Sequence, residues 1–342
     1  MSAEPAALAL VAAAVFAAWM RAAAPIVFGA LGALVSELAG VINVGIEGLM
    51  LVAAFFGVVG SAFVPVWFPQ LAGWAPWVGA AAGLAAALLL AVLLGVFHLE
   101  FGADLIVAGI GLNLLAAGLT VFLMVTISGD KGSTASLASA TLPSLRVPGL
   151  EAAPLLDAWI NGEGGEGHHL LVYAAFVAVA ATAWALRRTR FGLRLRAVGE
   201  NPEAARAAGV PVKRVQYLAL AASGLLAGLG GIYLSMGYLN LFQADMSAGR
   251  GFLALAAVFL GARRPLGTLG AALLFGASAV LAAQLGLLNV PAQALYMLPP
   301  IVTLLAMLVI AERRMRRERR ALQRAAAAQA AAANPSSLAP GA

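Results

Sequence analysis

Cysteine is absent from the 342 residues, which excludes disulfides, cysteine-ligated zinc and thiol nucleophiles. Lysine occurs only at Lys131 and Lys213, and no Gly-x-x-x-x-Gly-Lys-Ser/Thr run is present. The chain therefore has no phosphate-cradling loop of that kind, and an ATP-driven step would need its ATPase on another chain. Histidine is limited to His98, His168 and His169, each at a predicted membrane edge or in a loop, where a solvated role is expected. No Ser/His/Asp constellation and no metal-ligand cluster falls within an apolar run, so no catalytic residue and no metal site is expected. Charged residues make up 11% of the chain, against about 25% in soluble domains.

What is present is apolar. The chain is 62% hydrophobic with a mean hydropathy of +0.94. Its apolar runs are about 20 residues long, continuous and rich in Ala, Leu and Gly, which is the pattern of membrane helices. Barrel strands would alternate over short segments instead. The expected fold is all-α, a polytopic bundle of eight to ten membrane segments. They lie near 6–22, 25–39, 46–66, 77–98, 104–128, 169–187, 214–238, 249–262, 266–288 and 293–311. The stretch from Pro5 to Met20 has no basic region before it and reads as a retained first helix. The second segment is expected to be broken or re-entrant.

The net charge of +6 does not point to nucleic acid, because the cations cluster between apolar spans, where they set topology. The clusters are Arg187 to Arg214, Arg263 with Arg264, and the run from Arg313 to Arg320. They predict a transmembrane domain over 1–312, an external loop at 129–168, a cytoplasmic loop at 188–213, and both termini in the cytoplasm. The tail 313–342, basic and then Ala-rich, is expected to be disordered.

Two stretches carry candidate chemistry. Gly199-Glu200-Asn201-Pro202-Glu203-Ala204-Ala205-Arg206-Ala207-Ala208-Gly209 reads as a short punctuated helix. Asn201 is its N-cap, Pro202 its first residue and Gly209 its left-handed stop, while Glu203 suits the positive end of the dipole. Ala204, Ala205 and Ala208 form a face of minimal bulk. Two turns are marginal alone, so a protein partner or an ordinary loop helix are the two readings. The second stretch is Gly40-Val41-Ile42-Asn43-Val44-Gly45-Ile46-Glu47-Gly48, where glycines and two polar residues interrupt an apolar run. Unwound backbone at membrane depth either lines a pathway or packs between helices. Asn43, Glu47 and the deeper Asn113 are the pathway candidates. Glu37, Asp104, Asp245, Gln284 and Asn289 are weaker ones, and Tyr238, Phe242 and Phe252 suit an interfacial belt or ring stacking. Gly224, Gly228, Gly230 and Gly231 suit close helix packing.

At these stretches the chain resembles a known family. Ser36-Glu37-Leu38-Ala39-Gly40-Val41-Ile42-Asn43-Val44-Gly45-Ile46-Glu47-Gly48-Leu49-Met50 resembles the signature of permeases from bacterial ABC importers for nucleosides and simple sugars, related to ribose-type and branched-chain amino-acid permeases. Gly199 to Ala205 resembles their coupling-helix loop, and Gly249 to Gly261 with Pro265-Leu266-Gly267 their C-terminal half. The likeness spans residues 20–312. Family members often carry Arg where Leu38 stands, which leaves Glu37 without that neighbour as a partner.

The resemblance implies an inner-membrane importer subunit without enzymatic activity or a cofactor of its own. ATP and Mg would sit on a cytoplasmic ATPase gripping Gly199, Glu200, Asn201, Pro202, Glu203, Ala204, Ala205, Ala208 and Gly209. It further implies a homologous second permease, more readily a heterodimer, an external binding protein or lipoprotein, and surrounding membrane lipid. A repeat of segments two to five by seven to ten is a family expectation. The rivals are a ribose or amino-acid permease, an ion-coupled transporter using Glu37, Glu47, Asp104 or Asp245, and a membrane scaffold without transport.

Overall fold

The structure is a computed structural model that describes residues 3–150, 157, 160–162, 167–286, 297–298, 300–309, 312, 315–316 and 323. Asn289 and most of the tail 313–342 lie outside the described residues. Helices α1 (Ala3–Leu38), α2 (Ile46–Trp67), α3 (Ala75–Leu99) and α4 (Leu105–Ser128) form the first half. A short hairpin follows, β1 (Ser144–Leu145) antiparallel to β2 (His168–His169). Then come α5 (Leu170–Arg188), α6 (Arg190–Glu200), α7 (Pro202–Ala207), α8 (Val212–Tyr233, continued by a π turn at Leu234–Tyr238), α9 (Arg250–Leu260), α10 (Pro265–Gly286) and α11 (Pro300–Val309).

Seven helices among the described residues are long and apolar enough to cross a membrane, and α9 and α11 are shorter apolar helices. Among the described residues the apolar helices are fewer than the ten predicted segments. The predicted segments 6–22 and 25–39 are one helix that runs through Pro25. The expected broken second segment is thus intact, and the break comes after it. Arg21, Ala22, Ala23 and Ala24 give no polar turn chemistry, and a proline alone kinks a buried helix without ending it.

The core is built around α1 and α8. Helix α1 packs on α8, α9 and α10, while α8 packs on α1, α2 and α3. The glycines of α8 permit this. A Cβ on Gly231 would stand 2.0 Å from the Met50 carbonyl oxygen, and one on Gly224 would stand 2.5 Å from the Ala91 Cβ. Backbones in contact gain dispersion energy that a larger side chain would forfeit.

Two helices begin in the interior. A Cβ on Gly29 would lie 3.5 Å from Ile46, the first residue of α2. Gly29 is nine residues before the end of α1, so α2 starts about 13 Å in from that end. Residues 39–45 make the climb without helix. On the far side, residues 239–249 descend non-helically to α9, whose first turn meets Glu47. This descending leg is strapped by the loop that follows α4. The Thr134 amide donates to the Phe242 carbonyl at 2.9 Å, and Ser139 Oγ donates to the Asn240 carbonyl at 2.7 Å.

Helix α5 is capped by His169, whose Nδ1 accepts the Leu171 amide at 3.2 Å. Burial holds this imidazole below its ordinary pKa. Its stabilising contribution is complete above the unfolded value of about 6.5 and is lost as pH falls through the lower folded value. Melting the purified protein from pH 7.5 to 5 is expected to show a fall in stability that His169→Gln reduces. Parallel wild-type and variant curves would reject this role.

Candidate functional site

The interior break is held by Asn43 within it, by side chains from α2, α4 and α8, and by backbone amides at the start of α9. Asn43 is fully buried, and its Nδ2 donates to Ser223 Oγ on α8 at 2.9 Å. Its Oδ1 accepts the Gly45 amide at 3.0 Å, a turn that an asparagine stabilises locally. Asn113 of α4 is half-buried and clasps the break from the other side. It accepts the Gly48 amide at 2.8 Å and donates to the Val44 carbonyl at 3.0 Å. The unwound backbone is satisfied at depth, as an apolar surrounding demands.

Glu47 closes the arrangement. Its Oε1 accepts the Gly249 amide at 2.7 Å and its Oε2 the Gly251 amide at 2.6 Å. These are charge-assisted bonds at the positive end of α9. Glu47 also lies in the first turn of α2, so one carboxylate faces two helix N-termini whose dipoles would otherwise repel. Contact is so tight that a Cβ on Gly251 would meet the Glu47 amide nitrogen at 2.6 Å. Arg250, between the two glycines, turns its guanidinium onto the carbonyls of Met246 and Ser247 at 3.0 and 3.2 Å.

Asn43, Glu47 and Asn113 are thus brought together, each engaged with backbone around one break. Sequence reading missed Ser223 and the glycines of the α9 turn, because their partners lie about 200 residues away. It also left Glu37 without a partner. Arg263, in the turn after α9, supplies it at 2.8 Å, and the Glu37 side chain is only 6% exposed. Asp104 is the N-cap of α4, accepting the Ile106 and Val107 amides. Phe242 is buried edge-on against Phe55, while Tyr238 and Phe252 are exposed.

The second candidate stretch forms as its punctuation predicts. Asn201 Oδ1 accepts the amides of Glu203 and Ala204 at 3.1 and 3.0 Å, Pro202 opens α7, and Gly209 takes a φ of +78°. Glu200, Asn201, Pro202, Glu203, Ala204, Ala208 and Gly209 are exposed. Ala205 differs from the expected all-alanine outer face, since it is buried against its own chain. Gly199 and Glu200 end the separate helix α6, which sequence reading took for loop. A Cβ on Gly199 would stand 2.2 Å from the Leu38 carbonyl oxygen, so the end of α6 bears directly on the end of α1 and the start of the break, while α7 packs on α6 and α8. Beside them, Lys213 bonds Glu100 at 2.9 Å, which holds that carboxyl below its usual range.

Over residues 15–310 the sequence matches the family described as branched-chain amino acid transport system / permease component. The chain belongs to this permease family. The permease is 36% identical over 293 residues to the guanosine ABC transporter permease protein of Bacillus subtilis, covering 83% of this chain and 88% of that one. It is 33% identical over 291 residues to the nucleoside ABC transporter permease protein of Lactococcus lactis, covering 83% and 87%. It is also 33% identical over 259 residues to a putative glucose ABC transporter permease protein of Haloferax volcanii, covering 76% and 74%. The permease is a transport component, a multi-pass membrane protein.

Proposed function

We propose that the permease carries nucleosides inward across a bacterial cytoplasmic membrane, driven by a separate ATPase subunit that holds ATP and Mg. The observation that carries this reading is an exposed, capped helix α7 packed on α6, whose end at Gly199 is seated directly on the end of α1 next to the satisfied interior break. A push on α7 has a short mechanical route through Gly199 and Leu38 to residues 39–45. Glu203 and Arg206 on α7 offer both charge signs to a docking groove. The names of the Bacillus and Lactococcus relatives support guanosine-like cargo. The Haloferax name supports a simple sugar as the second reading, and a ribose ring would serve both.

Asn43, Glu47 and Asn113 shape the pathway in this reading. Asn43 and Glu47 hold the unwound backbone, and half-buried Asn113 borders the space a solute passes. Ion coupling through Glu37, Glu47 or Asp104 is disfavoured, because each is committed to a structural partner, and the fourth candidate, Asp245, is exposed. In this topology Leu38 and α7 share the cytoplasmic end. The N-terminal end of α1 is then external, and segments α1–α4 and α8–α11 run as inverted counterparts. A homologous permease completes the pathway, and an external binding protein or lipoprotein delivers the solute.

Uptake of labelled nucleosides and of ribose decides the substrate, in cells with and without the chain and with its partners present. Nucleoside uptake is expected to vanish on deletion and to return with wild type but not with Glu203→Arg. Loss of ribose uptake alone would move the cargo to sugars. Asn43→Ala and Asn113→Ala are each expected to slow uptake several-fold, since each leaves a buried amide or carbonyl unpaired at about 1–3 kcal/mol. Unchanged kinetics in both variants would remove these residues from the pathway.

A further inference from the structure

A groove of about 510 Å³ runs between α10 and α11, lined by Leu260, Gly270, Leu274, Val302, Leu305 and their neighbours. The volume is in the small-ligand range of about 300–1,000 Å³. The lining is almost wholly apolar, so it offers no hydrogen bonds to a nucleoside or sugar. Its outer wall stays open, with Leu266, Leu274 and Leu305 exposed. Gly270 contributes to the opening, because a Cβ there would meet nothing within 4 Å.

A cationic turn joins two of the lining residues in sequence. Arg264 lies in the tight turn between the lining residues Leu260 and Gly267, immediately before α10. Its neighbour Arg263 is spent on Glu37. Among the described residues Arg264 forms no ion pair, and it is exposed. Helix α10 is 22 residues long, and its first hydrogen-bonded amide is that of Thr268, on the Arg264 carbonyl at 2.8 Å. Unused amides at a helix start and an adjacent guanidinium together favour a phosphate. The turn sits at the Glu37 end of α1, the end that α6 meets at Leu38, which is the end where anionic lipid headgroups lie in the proposed topology.

We propose that this groove is a binding site for an anionic phospholipid, with one acyl chain between α10 and α11 and the phosphate at Arg264 and the start of α10. The charge arrangement favours an anionic over a zwitterionic headgroup, and the apolar lining favours an acyl chain over a polar solute. Bound there, the lipid would brace the Arg263–Glu37 contact from outside. The site rests on the membrane topology of the proposed function but not on the identity of the cargo.

The test is native mass spectrometry of the full transporter complex extracted from vesicles of phosphatidylcholine and phosphatidylglycerol. Wild type is expected to retain phosphatidylglycerol selectively. Arg264→Gln is expected to reduce that retention about tenfold, the loss of one charge-assisted bond. Gly270→Leu is expected to abolish it by filling the groove, and the open space around Gly270 lets that variant fold. Equal retention of both lipids, or retention unchanged by both variants, would overturn the proposal. So would ready disulfide dimerisation of Gly270→Cys in this cysteine-free chain, which would assign the groove to a second copy. Nucleoside uptake in the same vesicles is read separately, so loss of the lipid site and failure of the cargo assignment give different results.

Discussion

Glu47→Ala is expected to reduce uptake by more than about tenfold and to lower the melting temperature of the purified protein. The carboxylate takes two amides, from Gly249 and Gly251, at 2.7 and 2.6 Å. Removing it strands both in the interior, and each unpaired donor costs about 1–3 kcal/mol. It also leaves the N-termini of α2 and α9 facing each other without a counter-charge. Together these exceed the roughly 1.4 kcal/mol that corresponds to a factor of ten. Glu47→Gln keeps one acceptor oxygen but turns an NH2 group toward the second amide, so an intermediate loss is expected. Glu47→Asp is one methylene shorter and should keep one bond. The measurements are uptake kinetics and thermal unfolding across the three variants. Wild-type uptake in Glu47→Ala would show that α9 is held by its apolar packing alone.

Gly199→Ala is expected to abolish uptake while the ATPase subunit continues to hydrolyse ATP. A methyl group at this position would stand 2.2 Å from the Leu38 carbonyl oxygen and 3.1 Å from the Gly40 amide nitrogen. Backbone atoms of this kind cannot swing aside as a flexible side chain would, so the end of α6 has to lift from α1. Helix α7 remains formed, since its cap lies in Asn201, Pro202 and Gly209. In the proposed coupling the ATPase would then keep hold of α7 while α6 no longer bears on the break. The control is Gly209→Ala. That residue has open space around it but a φ of +78°, so the cost is backbone strain of about 1–2 kcal/mol and no steric block. Equal uptake by Gly199→Ala and wild type would mean that coupling takes another route.

These two glycines show where sequence reading reaches its limit. Gly209 was legible because its role is local. A polar cap eight residues earlier and an alanine run mark a helix that must stop there. The role of Gly199 was not legible, because the atom it makes room for is Leu38, 161 residues away along the chain. The same division runs through the fold. Apolar runs of about 20 residues with cations between them define spans through the cost of burying charge, and α2, α3, α4, α5 and α10 lie where those runs place them. The merging of 6–22 with 25–39 was invisible to that argument, since Pro25 marks a kink and a terminus alike.

The sequence by itself determined that this is a helical membrane protein with no Gly-x-x-x-x-Gly-Lys-Ser/Thr loop, a short capped helix between apolar runs and a polar break that interrupts one of them. Composition and short-range capping suffice for these, because they depend on solvent preference and on hydrogen bonds a few residues apart. Only the tertiary structure decided what the break is made of. Asn43 finds Ser223, Glu47 finds the amides of Gly249 and Gly251, and Glu37 finds Arg263 in place of the cation missing beside it. Each of these groups had to be satisfied in an apolar interior, but which partner satisfies it depends on how α1 and α8 cross, and backbone-to-backbone glycine contact sets that crossing.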